Sequence, residues 1–308
     1  MTTTLTNRKE TSGKAARPPV EERRARRRAG LTLGVPPVAW IAFFLFLPYA
    51  YLLILSLWRV NPLSPYLPVV HDWNIDSYLR ILQEPAYLKV LLRSLVNGLC
   101  ATAAATVLGF PIAYFLAFKV SRRRMFWYML VIVPLWVSYL VRAYAWKVIL
   151  GDYGVVNGAL RAIGLTDHPV HLLYSRFAVI LTLSHVFTPF MILTSYAILE
   201  RIPRSLVEAS YDLGNGRLKT FAKVTLPLSW PGILAGAFFT LGLASGDFVA
   251  PSLVGGASDV MIAQQIYQEF GAVNNRPFAA ALGFTLLCLV MVLVFMSSWL
   301  EKREQIDG

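Results

Sequence analysis

FAVILTLSHVFTPFMILTSYAILERIPRSLVEASYDLGNGRLKTFAKVTLPLSWPGILAGAFFTLGLASGDFV, residues 177–249, holds two apolar runs separated by a polar and amphipathic segment. A hydrocarbon core about 30 Å thick needs roughly 20 apolar residues wound as a helix, because peptide groups in lipid must pair within their own segment. Phe177–Leu199 and Leu228–Val249 meet that requirement, and the stretch 200–227 between them is too polar to enter the bilayer. The pattern therefore predicts two membrane-crossing rods joined by a loop that stays in water.

Applied outward, the same criterion finds Pro36–Trp58, Ser94–Phe118, Met125–Lys147 and Phe278–Leu300. The expected fold is all-α and polytopic, with six transmembrane helices. It divides into a basic tail (1–35), a membrane domain (36–300) and a short tail (301–308). The composition agrees: the 308 residues are 56% hydrophobic and only 15% charged, with mean hydropathy +0.54. A soluble chain of this length covers its surface with far more charge. Cys100 and Cys288 lie in apolar runs and imply no disulfide framework. The first thirty residues lack the apolar core of a cleavable leader.

The net charge of +12 is concentrated before Gly30, in Arg8, Lys9, Lys14, Arg17, Arg23, Arg24 and Arg26–Arg28. A basic run beside a span holds that flank in the cytoplasm and attracts anionic headgroups, so nucleic acid is not an expected partner. With the N-terminus inside, the turn Lys119–Arg124, the loop 200–227 and the C-terminal tail are cytoplasmic too. About 20 basic residues then lie inside and about 9 outside, as the positive-inside rule requires. Both termini are expected in the cytoplasm of a cell with a multi-pass inner membrane protein.

Within the loop, Ser205 and Glu208 have capping-box spacing and predict the start of a short helix. Leu206, Ala209 and Leu213 recur on one face, and Gly214 suits a left-handed C-cap. A second short helix with Leu218, Phe221 and Ala222 is expected to stop at Pro227. Two amphipathic helices around a small-residue turn form a knob whose apolar face calls for a protein groove.

Glu208-Ala209-Ser210, then Gly214, then Val224-Thr225-Leu226-Pro227 resembles the EAA loop of binding-protein-dependent ABC importer permeases. That family's pattern is Glu-Ala-Ala, three residues, Gly, nine residues, then Ile-x-Leu-Pro. Here Ser210 replaces the second Ala and Val224 the Ile. LVRAYAWKVILGDYGVVN (140–157), GDFVAPSLVGG (246–256) and RPFAAALGF (276–284) look like spermidine/putrescine-type permeases, whose relatives also handle opines and other small solutes. The resemblance implies a type I ABC importer permease fold (MetI-like) in the bacterial inner membrane. The implied partners are a cytoplasmic ATPase dimer, a second permease expected to be a different chain, and an external solute-binding protein. It also implies an ATPase-coupling role for Ser205, Glu208, Ala209, Ser210, Asp212, Gly214, Leu226 and Pro227.

Asp247, an ionisable residue in the outer part of the fifth span, is a candidate for the translocation path or a structural partner of Arg142 or Lys147. Tyr144 is placed with it on the path. Arg142 and Lys147 are expected to snorkel to the interface, and the tyrosines and tryptophans near span ends to form aromatic belts. Asp167, His168 and His171 lack a further ligand set, so a solvated loop is expected there, with no metal and no cofactor. The outer stretches Asn74–Pro85 and Asp152–Gly164 have helical patterning and could dock a binding protein.

No Gly-x4-Gly-Lys-Ser/Thr sequence occurs, so ATP hydrolysis is assigned to a separate chain. A membrane-embedded enzyme would need clustered carboxylates or a His/Glu metal set at one depth, and the spans offer only Asp247 to that reading. An uncoupled channel would have no use for the knob. The same machinery serving an opine or organic acid is the alternative to a polyamine.

Overall fold

The computed structural model describes residues 20–61, 69–120 and 122–307, with side-chain surroundings for those between 35 and 296. Two units divide the chain at Tyr51/Leu52. Helix α1 (Val20–Ser56) opens within the basic segment and continues without interruption through the first span. Its stretch Val35–Ser56 is one of five helices among the described residues that are long and apolar enough to cross a membrane.

In the second unit, β1 (Arg59–Val60) pairs antiparallel with β2 (Val69–Val70), and α2 (Asp76–Gln83) follows. Helix α3 (Pro85–Tyr114) is prolonged by a π-helical segment, Phe115–Lys119. Then come α4 (Arg124–Trp136), α5 (Tyr139–Leu150), α6 (Val155–Ala162) and α7 (Arg176–Leu199). The loop forms α8 (Arg204–Asp212) and α9 (Arg217–Thr220), which runs through a π-helical segment, Phe221–Thr225, into α10 (Leu226–Ser245). Helices α11 (Val249–Val254), α12 (Ile262–Phe270) and α13 (Arg276–Asp307) complete the chain. Both outer stretches read as helical are helical, as α2 and α6.

Two expectations fail in instructive ways. The third span is not one rod: α4 and α5 meet at an 88° bend, so among the described residues five helices are long and apolar enough to cross a membrane, or six spans if the bent pair counts as one. Pro134 removes a helical donor, the Val137 amide turns back to the Pro134 carbonyl at 3.3 Å, and Val137 and Ser138 are extended. Nor does Pro227 end a helix. It lies in the first turn of α10, and the widened π turn before it accommodates the ring against the carbonyl of Lys223. The fifth rod consequently runs unbroken from Arg217 to Ser245.

Helices α3, α7 and α10 form the central packing. They approach closely because glycines at the contacts leave room for the neighbouring helix's side chains, which is how helices associate in lipid without a hydrophobic drive. Gly98 faces Ser245, Gly232 faces Ile198, and Gly236 lies against Thr194 and Met191. Around this contact Ala101, Leu183, Val186, Ala244 and Val254 are fully or almost fully buried. Towards the loop end, Phe110, Leu116, Ile192, Tyr196 and Ile233 form a second cluster with Phe221 against it. Ile81, Leu91, Ile262, Phe278 and Leu282 pack α2, α3, α12 and α13 together.

A Cβ at Gly236 would stand 2.7 Å from Met191 Sδ, whereas one at Gly242 meets nothing within 4 Å. Gly236→Ala is therefore expected to destabilise the bundle by about 1–3 kcal/mol through overpacking, and Gly242→Ala to change it little. Thermal unfolding of the two variants in the same detergent checks the contrast.

Candidate functional site

The loop at the α7–α10 end is a rigid turn. Helix α8 starts after Pro203, whose extended backbone sets Arg204 as the first helical residue. Ser205 is thereby already inside the helix, and no side chain caps the N-terminus, so the expected Ser205–Glu208 capping box is not formed. The other end behaves as read. Gly214 has φ +80°, its amide bonds the Tyr211 carbonyl at 2.9 Å, and the Asn215 amide bonds the Ser210 carbonyl at 3.1 Å. These are the two bonds of a Schellman cap, and an L side chain at Gly214 would strain the backbone.

Ser210 fastens the second arm. Its hydroxyl is buried and hydrogen-bonded to Thr220 Oγ1 at 3.0 Å, with Asn215 Nδ2 donating to it at 3.4 Å. The hydroxyl that departs from the Glu-Ala-Ala pattern thus locks α8 to α9. Glu208, Ala209, Asp212 and Pro227 are exposed and Leu226 is half-buried. Leu213 and Leu218, either side of the turn, are 82% and 84% exposed. The apolar patch predicted on α8 is uncovered, while Phe221 instead packs into the second cluster against Phe110 and Tyr114. Beside the loop, Arg124 at the start of α4 pairs with Glu200 at the end of α7 at 3.0 Å.

The second locus lies deeper. Asp247 is 8% exposed; it accepts from Tyr139 Oη and, through Oδ1, from the Ala250 amide at 2.8 Å. Its structural partners are thus Tyr139 and the first turn of α11, in place of Arg142 or Lys147. Arg142 does not snorkel: it is half-buried and donates to the Val186 carbonyl of α7 at 3.1 Å, three residues before Pro189 of that helix. The bent α5 turns Arg142 inward, where Nη1 finds a backbone acceptor on α7 while the buried Nε has no partner among the described residues. Tyr144 is about half exposed on the other face of α5, and Lys147 Nζ lies 5.8 Å from its ring and 5.9 Å from that of Tyr174. In the outer loop His171 pairs with Asp152 at 3.2 Å.

Reading the spans for ionisable groups passed over His185. It is exposed on α7, and its Nδ1 accepts the Trp146 indole N–H at 3.1 Å. That bond assigns the proton of a neutral ring to Nε2. A histidine inside an apolar run was the available signal; its partner comes from another helix and could be found only in the fold.

A family model described as "Binding-protein-dependent transport system inner membrane component" matches residues 105–305. The chain is 36% identical over 266 residues to the spermidine/putrescine transport system permease protein PotB of Escherichia coli (strain K12), spanning 86% of this chain and 95% of that one. It is 37% identical over 234 residues to the inner membrane ABC transporter permease protein YdcU of the same organism, 71% of this chain and 73% of that one. Its fold superposes with TM-score 0.67, at 21% identity, on a chain of a bacterial ABC transporter involved in the import of the acidic polysaccharide alginate, covering 92% and 98% of the two. From the apolar helices, the capped loop and these matches together, the chain belongs to the family of binding-protein-dependent transport system inner membrane components.

Proposed function

We propose that this subunit forms part of the translocation path of an ATP-driven importer for an aliphatic polyamine of the spermidine/putrescine kind. It works with a second permease chain, a pair of cytoplasmic ATPase subunits and an external solute-binding protein. The polyamine assignment rests on the similarity to PotB over most of both chains. The loop end faces the cytoplasm, as the excess of Lys and Arg on that side supports.

The observation that carries the coupling role is the form of the loop. Leu213 and Leu218 stand more than four-fifths exposed on a turn held by a Schellman cap and by the Ser210–Thr220 bond. A rigid knob with uncovered leucines and the exposed carboxylates of Glu208 and Asp212 suits a groove that takes a short helix. Because α9, the π segment and α10 form one rod, a push on the knob reaches Ser245 without crossing a hinge. An ATPase that contacts the knob differently in its open and closed forms biases the two states of the path through that rod.

Glu208→Lys is expected to cut ATP-dependent polyamine uptake in proteoliposomes by at least about tenfold, and co-purification of the ATPase with it. Normal uptake together with normal co-purification would show that the docking contact lies elsewhere. Gly214→Ala forces an L residue into the left-handed region at a local cost of about 1–2 kcal/mol. Amide exchange at Asn215 should then quicken by about tenfold, with the spanning helices unchanged.

A further inference from the structure

Three features of the second unit come to one level. Arg124 pairs with Glu200 and Gly232 lies against Ile198, so α4, α7 and α10 share a plane near the loop end. At 1.5 Å per residue, Trp136 at the end of α4 lies about 18 Å from that plane, His185 about 22 Å and Ser245 about 20 Å. Two helices therefore break at the depth where α7 exposes its histidine. Tyr139, three residues past one break, donates to Asp247, two residues past the other, and so ties the breaks together. Trp146 of α5 ties in His185.

At this level Ser138 and Gly246 are exposed beside the apolar Trp136, Val137 and Phe248. Val137 and Ser138 are extended backbone, and no backbone donor among the described residues reaches the carbonyls of Leu135, Trp136, Leu243 or Ser245. Open, non-helical backbone at membrane depth survives only where protein covers it or water fills the space beside it. The same holds for an imidazole whose Nε2 has no partner among the described residues.

We propose that the translocation path runs across this level, lined by Ser138, His185 and Gly246, with the Tyr139–Asp247 bond holding the two breaks in register. The inference rests on the importer reading and names the part of the subunit that meets the solute. Free carbonyl oxygens accept hydrogen bonds from the N–H groups of a passing polyamine, and His185 Nε2–H donates to the water that accompanies it. Asp247 serves as a positioning residue, since its oxygens are engaged by Tyr139 and Ala250. Arg142 donates to the Val186 carbonyl through Nη1 and its unpartnered Nε is buried, which leaves the broken backbone as the polar surface on offer.

The test is thiol accessibility in the whole transporter, reconstituted with its ATPase and binding protein, after Cys100 and Cys288, both exposed, are replaced by Ser. Ser138→Cys is nearly isosteric, and at Gly246 a Cβ meets only the Gly242 carbonyl at 3.4 Å, an ordinary contact. Val107→Cys and Met291→Cys, exposed at 71% and 45% on unbroken apolar stretches of α3 and α13, are the lipid-facing comparison. A thiol reacts as its thiolate, which forms in water and not in hydrocarbon, so a water-borne methanethiosulfonate should modify positions 138 and 246 at least about tenfold faster than 107 and 291. Spermidine delivered by the binding protein should slow the reaction. Equal rates at the four positions overturn the proposal, whichever of the two path variants folds. Fast reaction that spermidine does not slow, in a complex that still takes up spermidine, removes solute contact from this level. Fast reaction in a complex that takes up no spermidine leaves the path in place and refutes the polyamine assignment.

Discussion

Every part of this subunit answers to one constraint: a peptide group in hydrocarbon must find its hydrogen-bond partner in its own segment. The constraint makes long apolar helices the default, and among the described residues four in the second unit are long and apolar enough to meet it. It also gives meaning to exceptions. Where a helix stops inside the bilayer, something other than lipid must satisfy or surround the freed groups. The bend after Trp136 and the break after Ser245 are such exceptions, and they are joined by the Tyr139–Asp247 bond.

The packing that supports those breaks follows from the same physics. Lipid tails are as apolar as leucine, so helices gain little from hiding leucine and much from close contact. Gly232 and Gly236 bring α10 against α7, and Gly98 brings α3 against the end of α10 at Ser245. The rod that carries the knob is thereby seated on the two helices that form the centre of the bundle. Its π segment keeps that seat intact despite Pro227, since a wider turn takes up the ring where a regular turn would kink.

How far the sequence could be read depended on whether a feature is local. Span existence needs only a count of apolar residues, and Phe177–Leu199 falls within one residue of α7. The C-cap at Gly214 is equally local, since left-handed φ after an amphipathic helix is a property of four or five residues. The N-cap failed because two local signals competed, and Pro203 set the helix start before Ser205 could cap it. What a proline does to a helix is not legible from its place in the sequence. Pro227 is carried by a π turn that no residue pattern announces, while Pro134, inside an equally apolar run, precedes a true break because Val137 and Ser138 take extended angles.

The partners of the buried polar groups were illegible for a different reason. Asp247 could be picked out as an ionisable residue at membrane depth, but its partner is 108 positions away and is a tyrosine, not a cation. Arg142 reads as a snorkelling side chain on a straight third span and becomes an inward donor once α5 is bent by 88°. One misjudged helix therefore propagated to the assignment of two charged residues. The places where sequence reasoning broke down, the elbow, the end of α10 and His185, fall at one depth and on linked side chains. Conflict between local preference and the global fold concentrates where structure is bent to a task, and here it concentrates on the stretch of backbone that lipid could not cover.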